Sequence, residues 1–271
     1  MVKVVAARNA SPDEEAEDKD PQFAYTLARG LEVLRAFEGA EYELGNREIA
    51  ARTGISRTTV VRLTRTLAML GYLQYESSTA RYRLAVSMLS LAYPLLCQLG
   101  VRRIARPLMQ RLANYAHGAV SLGMRQGLKI VLVDSCVEPN AVTGRPDIGA
   151  ARCIARTAIG RAYIAGIEES ERKLLLSEIR SSGIVDWKTF KPDMDRELDR
   201  FRTDGFCIAC HAVVKGVYSA GVALRGAPNG GLMVMNCVIA DFQTDEQGLV
   251  KDIGPRLVGL AQQVQREMGR G

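Results

Sequence analysis

Histidine is scarce in this chain: His117 and His211 are its only imidazoles in 271 residues. The sequence also holds no G-x-S-x-G elbow, no H-E-x-x-H pair and no G-x-x-x-x-G-K-[ST] loop. Base, nucleophile and metal are therefore not offered together, and enzyme chemistry is not expected. No run approaches the roughly 18 apolar residues that a membrane-crossing helix needs. The N-terminal stretch MVKVVAARNASPDEEAEDKDPQ lacks the apolar core of a signal peptide. These absences predict a cytoplasmic protein with no membrane contact. The six cysteines, Cys97, Cys136, Cys153, Cys207, Cys210 and Cys237, are scattered. That spacing excludes a disulfide frame and predicts reduced, mostly buried thiols.

What is present is a globular composition, 47% hydrophobic and 24% charged, with a net charge of +6. The length favours two modest domains over one. Residues 1–20 hold three Lys/Arg against six Asp/Glu, so the basic excess lies in the remainder. That acidic, polar segment reads as a flexible tail. A basic excess permits an anionic partner, and its distribution says which segment meets it.

Residues 46–84 carry that excess. NREIAARTG starts polar, with Gly45 or Asn46 as N-cap and Glu48 in the first turn, and stops at Gly54, which tolerates a left-handed position. Ser56 then caps a second helix in which Val60, Leu63, Leu67 and Leu70 recur at spacings of three and four and face inward. Its opposite face carries Arg57, Thr58, Val61, Arg62 and Arg65. Residues 46–72 count five Arg against one Glu. Arginine suits guanine edges and phosphates, threonine bonds either base type and a valine methyl meets thymine, so this face reads as a major-groove recognition helix. The segment YLQYESSTARYRL follows as a two-stranded wing that turns at Ser77-Ser78-Thr79, with Tyr82 and Leu84 inward and Arg81 and Arg83 outward. Arg47, Ser56, Arg57, Thr58, Val61, Arg62, Arg65, Arg81 and Arg83 are thus the candidate contacts to double-stranded DNA. The competing reading is a solvated charged face on an ordinary three-helix bundle.

Leu27, Leu31, Leu34 and Phe37 predict an amphipathic helix over 22–38 that braces the other two. Residues 21–85 therefore form a winged helix-turn-helix domain. The apolar segment 86–100, interrupted by Pro94, reads as a linker helix whose exposed face meets a second subunit. Residues 101–271 alternate helices and strands: a helix from Val101 to His117, strands on either side of Gln126-Gly127, a short strand near Ala141–Arg145 and a helix from about Arg156. Helices at 174–179 and 194–203 follow, then two strands joined by Pro228-Asn229-Gly230-Gly231 and a closing helix from Arg256 to Met268. This pattern predicts an α+β sheet domain with helices on one face.

With both halves laid out, the chain resembles the isocitrate lyase regulator (IclR) family of bacterial transcription factors over residues 22–269. The likeness is carried by YTLARGLEVLRAF, EIAARTGISRTTVVRLTRTLAMLGYL and YRL in the first half, and by TAIGRAYIA and the strand pair near 217–238 in the second. The resemblance implies a dimer or dimer of dimers with a GAF/PAS-like effector-binding domain that responds to a small molecule. By family position the pocket is bounded by Ala141, Ala158, Ile159, Ala209 or Cys210, Ser219, Asn236 and Val238. Family members that bind small oxo-acids resemble one another in carrying acidic residues after a Gly-Phe pair. This chain reads Gly205-Phe206-Cys207-Ile208-Ala209-Cys210-His211, and Val238 replaces a hydroxyl residue. Fewer fixed charges favour a larger, partly aromatic or hydrophobic acid over glyoxylate or pyruvate. The start of the helix after Arg156 could hold its carboxylate.

Cys207-Ile208-Ala209-Cys210-His211 also matches C-x-x-C-H, but haem attachment requires export, and zinc requires a fourth donor. No cofactor or metal is expected. Asp134, Glu138 and Asp147 read as solvated carboxylates near the pocket. Two alternatives stay open, a redox-sensing regulator using Cys207 and Cys210, and a GAF-like protein-interaction module.

Overall fold

The structure is a computed structural model that describes residues 22–39, 42–142, 147–210, 216–225 and 231–269. The acidic tail, His211, residues 143–145 of the expected short strand and Pro228-Asn229-Gly230 of the hairpin lie outside these. The chain forms two compact units that divide between Pro94 and Leu95.

The first unit begins with α1 (Tyr25–Arg35), α2 (Asn46–Thr53) and α3 (Arg57–Met69). A two-stranded ribbon follows, β1 (Leu73–Glu76) paired antiparallel with β2 (Arg81–Leu84). Gly54 ends α2 at φ 70°, a left-handed conformation that a side chain would resist, and Ser56 caps α3 by accepting the Thr59 N–H. Val33, Phe37, Leu44, Ile49, Ile55, Val60, Leu73 and Tyr82 make the core. Four expected inward positions are corrected. Leu70 and Leu84 are 63% and 42% exposed, because Leu70 caps the C-terminus of α3 and Leu84 is the last residue of β2, each at the edge of this small core. Leu27 and Leu31 are exposed too, and α1 turns Val33, Leu34 and Phe37 inward instead. The fully buried place on α3 opposite α2 belongs to Thr64, whose hydroxyl donates to Asn46 Oδ1 at 2.9 Å. Asn46 therefore sits inside α2, and Gly45 is its N-cap.

α4 (Ser87–Gln98) runs through Pro94 without ending there and buries none of its residues. Val86 just before it and Leu89, Leu91, Tyr93 and Leu95 along it are exposed. No described helix is long and apolar enough to cross a membrane.

In the second unit, α5 (Val101–Tyr115) leads into β3 (Ala119–Gln126), β4 (Lys129–Val137) and β5 (Ala151–Cys153). Then come α6 (Ala158–Gly166), α7 (Glu169–Ser182) and α8 (Trp187–Asp204), followed by β6 (Cys207–Cys210), β7 (Val217–Leu224) and β8 (Met233–Ala240). The short α9 (Glu246–Gly248), a π-helical turn over Leu249–Ile253 and α10 (Gly254–Met268) close the chain. One antiparallel sheet holds six strands in the order β5-β4-β3-β8-β7-β6. The strand expected near 141–145 is not seen at Ala141 or Val142; the pairing partner of β4 is Ala151–Cys153.

The expectation of helices on one face is corrected as well. Val120, Leu122, Val222, Met235 and Cys237 pack with α5 and α10, whereas Ile130, Val234 and Cys207 pack with α6, α7 and α8. Both faces of the sheet are covered. Alternate residues on each strand are apolar toward both sides, the pattern of a strand buried between two layers.

Candidate functional site

In the first unit, α3 presents Arg57, Thr58, Val61, Arg62 and Arg65 to the outside, while Val60 and Thr64 are buried beneath them. The separation of faces follows from the helical repeat. Arg47 is exposed on α2, and Ser56 is occupied as the cap, with Oγ 2.9 Å from Thr59 Oγ1. The wing divides its two arginines. Arg83 is exposed and lies across from Gln74, to which its Nε donates at 3.2 Å. Arg81 is turned back instead. Its Nη2 donates to Glu48 Oε1 and Oε2 at 2.8 and 2.7 Å and to the Glu43 carbonyl at 3.1 Å. Glu48 also accepts the Gly45 N–H at 2.7 Å, so one carboxylate ties the wing to the start of α2. The Gly45 bond first, then Arg81, hold the Glu48 carboxyl below the usual glutamate range. Of the nine candidate contacts, Arg81 is thus a brace with its charge already matched.

In the second unit the expected effector residues fall on the sheet face under α6, with two exceptions. Gly221 faces α6, since a Cβ there would lie 2.3 Å from the Ala158 carbonyl oxygen. The first turn of α6 is therefore pressed onto β7, with Ala158 and Ile159 both buried. Ser219 lies two residues away on the same face, paired with Ala209 and Val238. Asn236 pairs with Gly221, so it shares that face. Cys210 does not: strand alternation turns it with Tyr218 toward the α10 core, and Ala209 alone fills that position of the expected pocket. Ala141 lies off the sheet, in the turn where its N–H meets the Glu138 carbonyl.

The same face holds two hydroxyls that sequence reasoning missed. Ser121 and Ser135 are paired across β3 and β4 with their Oγ atoms 3.2 Å apart, and Ser121 is also the neighbour of Asn236. Period-two alternation back from Gly123 was the available signal. At the β4 side a depression of about 550 Å³ is lined by Ser135, Val137, Glu138, Pro139, Asp147, Ile148 and Arg106. Asp134 is not a solvated carboxylate at this site. It is 1% exposed on the opposite face, within 3.4 Å of Arg102 and 2.5 Å of Arg106.

The redox alternative loses its geometry. Three residues apart on one strand, Cys207 and Cys210 stand on opposite faces and roughly 10 Å apart, beyond the about 7 Å Cα reach of a disulfide. Burial, with Glu197 second, pushes the Cys207 thiol well up, and burial pushes Cys210 to about 11, so neither is a ready thiolate. Among the described residues no group of three His, Cys, Asp or Glu is gathered for a metal.

Comparison with known proteins extends this picture. The family model for the IclR helix-turn-helix domain matches residues 26–77, and the one described as bacterial transcriptional regulator IclR C-terminal matches residues 94–266. The HTH-type transcriptional regulator TsaQ1/TsaQ2 of Comamonas testosteroni is 28% identical, covering 97% of this chain and 95% of its own length. The Pca regulon regulatory protein of Pseudomonas putida is 26% identical over 80% of this chain and 75% of its own. Among solved structures, an IclR family transcriptional regulator from Brucella abortus is 38% identical with a TM-score of 0.81, covering 94% of this chain and 96% of that one. An IclR homolog from Microbacterium hydrocarbonoxydans, complexed with 4-hydroxybenzoate, shares the fold at 17% identity and a TM-score of 0.73, covering 91% and 100%.

Proposed function

The chain belongs to the IclR family of bacterial transcriptional regulators, and from that premise we propose that it binds a pseudo-palindromic operator as a dimer or dimer of dimers under the control of a small organic acid. Members of the family are regulators and not enzymes, and the chain carries their DNA-binding and C-terminal domains in the same order.

The outward face of α3 carries the proposal. Arg57, Thr58, Val61, Arg62 and Arg65 stand free on a helix fixed from behind by Val60 and Thr64, with a basic wing residue, Arg83, beside it. A helix with this face enters the major groove, and Arg83 takes a backbone phosphate. Two copies joined through the exposed apolar side of α4 set two such helices about one DNA turn apart, roughly 34 Å, which is why the operator is two-fold symmetric. The acid is carboxylic or aromatic: the face under α6 mixes Ala209, Val238 and Ala119 with Ser219 and Asn236, and none of these is charged. Binding of 4-hydroxybenzoate by one relative of the same fold is consistent with this class. The ligand acts only so far as it binds one arrangement of the dimer better than another.

The test is selection of duplexes from a random pool by the full chain at low salt, followed by anisotropy with and without a panel of carboxylic and aromatic acids. An enriched inverted repeat whose affinity changes with an acid is the expected result. A pool that stays random overturns the reading.

A further inference from the structure

We infer that the acidic block at residues 13–20 is a second occupant of the outward face of α3, seated on Arg57, Arg62 and Arg65 in place of DNA and lowering the affinity for any duplex. The inference rests on the DNA-binding reading above and adds a competitor for that face from the chain itself.

Charge is divided sharply within the first 94 residues. Residues 22–94 hold nine Arg against six Glu, with no Lys or Asp, a net of +3. Residues 1–21 hold three Lys/Arg against six Asp/Glu, a net of −3. All six of those acids, Asp13, Glu14, Glu15, Glu17, Asp18 and Asp20, fall within eight consecutive residues, with Lys19 the one opposing charge among them. The carboxylates of the folded unit are engaged elsewhere. Glu48 is taken by Arg81 and the Gly45 N–H, and Glu76 accepts from Ser78 in the wing. Among the described residues no carboxylate pairs with Arg57, Arg62 or Arg65, and all three are exposed. In the second unit, by contrast, Arg102 and Arg106 already face Asp134. The positive patch left to match the acidic block is the face of α3.

The chemistry of the two occupants is shared. A guanidinium fork receives a carboxylate or a phosphate in the same way, two N–H groups to two oxygens. Six carboxylates over eight extended residues place one negative charge about every 4 Å, close to the roughly 3.4 Å per charge along one DNA strand. Reach is sufficient. The described chain starts at Gln22, three residues before α1, and an extended chain carries Asp13 about 30 Å from there. A unit of about 70 residues has a radius of gyration of only about 11 Å. Tethering raises the local concentration of such a segment to about 1 mM, so a dissociation constant of about 0.2 mM for the free segment keeps it docked about five times as often as released. Simple competition then divides the affinity for every duplex, operator or not, by about six. Exposed ion pairs are screened by salt, so the effect fades as ionic strength rises.

The test compares the parent with a full chain neutralised by Asp13→Asn, Glu14→Gln, Glu15→Gln, Glu17→Gln, Asp18→Asn and Asp20→Asn. Anisotropy reads the binding of a duplex enriched from the random pool and of an unrelated duplex at 50 and 200 mM salt. A fluorescent peptide of residues 10–21 is then titrated with the neutralised chain, with and without Arg57→Gln and Arg62→Gln. Thermal melts confirm folding, and Arg62→Gln with Arg65→Gln replaces that pair if it fails to fold. The neutralised chain should bind both duplexes about sixfold tighter at 50 mM and within about twofold of the parent at 200 mM. The peptide should bind it with a dissociation constant below about 0.5 mM and lose at least about fivefold when the two arginines are replaced. Tighter duplex binding without peptide binding means that the block repels DNA from a distance and does not dock. A peptide that binds equally well without Arg57 and Arg62 is seated elsewhere, on another basic patch or a second copy. Either result, or equal duplex binding by the parent and the neutralised chain, overturns the inference and leaves the DNA reading standing. Peptide binding that needs the two arginines, in a chain that binds no duplex, keeps the docking and overturns the DNA reading.

Discussion

Arg81 and Glu48 are joined by two hydrogen bonds, at 2.8 and 2.7 Å, across 33 residues of sequence. The pair fixes the wing to the helix that supports α3, and it separates the two wing arginines by role. Arg83→Ala should weaken operator binding evenly across sequences and lower the salt slope by about one unit, as loss of one phosphate contact does. Arg81→Ala should instead lower the melting temperature of the DNA-binding half and leave the salt slope near that of the parent. Anisotropy between 50 and 200 mM salt, with melting followed by circular dichroism, separates the two. Equal slope changes in both variants would show that Arg81 also meets phosphate.

Glu48 makes the same pair pH-dependent. Its carboxyl is held below the ordinary value of 4.5 by the Gly45 N–H and by Arg81. A depressed folded-state pKa contributes stability that is fully present above the unfolded value and is lost as pH falls through the folded one. The urea midpoint of the first unit should therefore drop between about pH 6 and pH 3 by more in the parent than in Glu48→Gln, which has no such proton to take up. Matching drops in both proteins would remove Glu48 as a source of the acid sensitivity.

The local parts of this arrangement were legible in the sequence, and the non-local parts were not. Gly54, Ser56 and the exposed arginines of α3 follow from signals within one or two helical turns. Leu70 and Leu84 were misplaced because a period gives the spacing of a stripe but not the point at which the core beneath it ends. Thr64 was missed since a hydroxyl reads as surface until its partner is known, and that partner, Asn46, lies 18 residues away. Asp134 and Arg81 fail for the same reason, their counter-charges standing 28 to 33 residues off. The placement of Cys210 is different: alternation along four residues already sets it opposite Ala209, so that error was avoidable. Helices on both faces of the sheet could not be read at all, because an amphipathic stripe says that a helix is covered and not by which side of which sheet.

Arg62 stands near the middle of the outward face of α3, with no described partner holding it back. Arg62→Ala should cost about 1–3 kcal/mol in operator binding and relax preference at one base pair in each half-site. Comparing the parent and variant on a set of single-base operator substitutions reads this directly. A uniform loss across all of them would assign Arg62 to phosphate instead of base.

Asp134 is the most buried charge described in the second unit, and it faces Arg102 and Arg106 at the start of α5. Removing it leaves two guanidinium groups without their counter-charge, although Arg106 is more than half exposed and can be rehydrated. Asp134→Ala should therefore destabilise the unit by about 3 kcal/mol, the low end for a broken buried pair. Asp134→Asn, which keeps the Ser135 N–H bond, should lose less. Urea unfolding of both variants against the parent measures the difference, and an unchanged midpoint in Asp134→Ala would mean the pair adds nothing to stability.

Exposing Leu89, Leu91, Tyr93 and Leu95 on one helix with no buried residue is unfavourable for a chain alone in water. At about 100° per residue Leu89 and Tyr93 share one side of α4 and Leu91 and Leu95 the other; an exposed apolar strip such as that of Leu89 and Tyr93 marks an association surface, and a second copy supplies an equal one about a two-fold axis. Introducing charge on it makes each copy repel the other as well as removing the apolar contact. Leu89→Glu with Tyr93→Glu should thus convert a dimer at micromolar concentration into a monomer, and operator affinity should fall to that of a single half-site. Sedimentation velocity decides the first part and anisotropy the second. A parent that is already monomeric at that concentration, or a double variant that still sediments as a dimer, would show that α4 does not join the two copies.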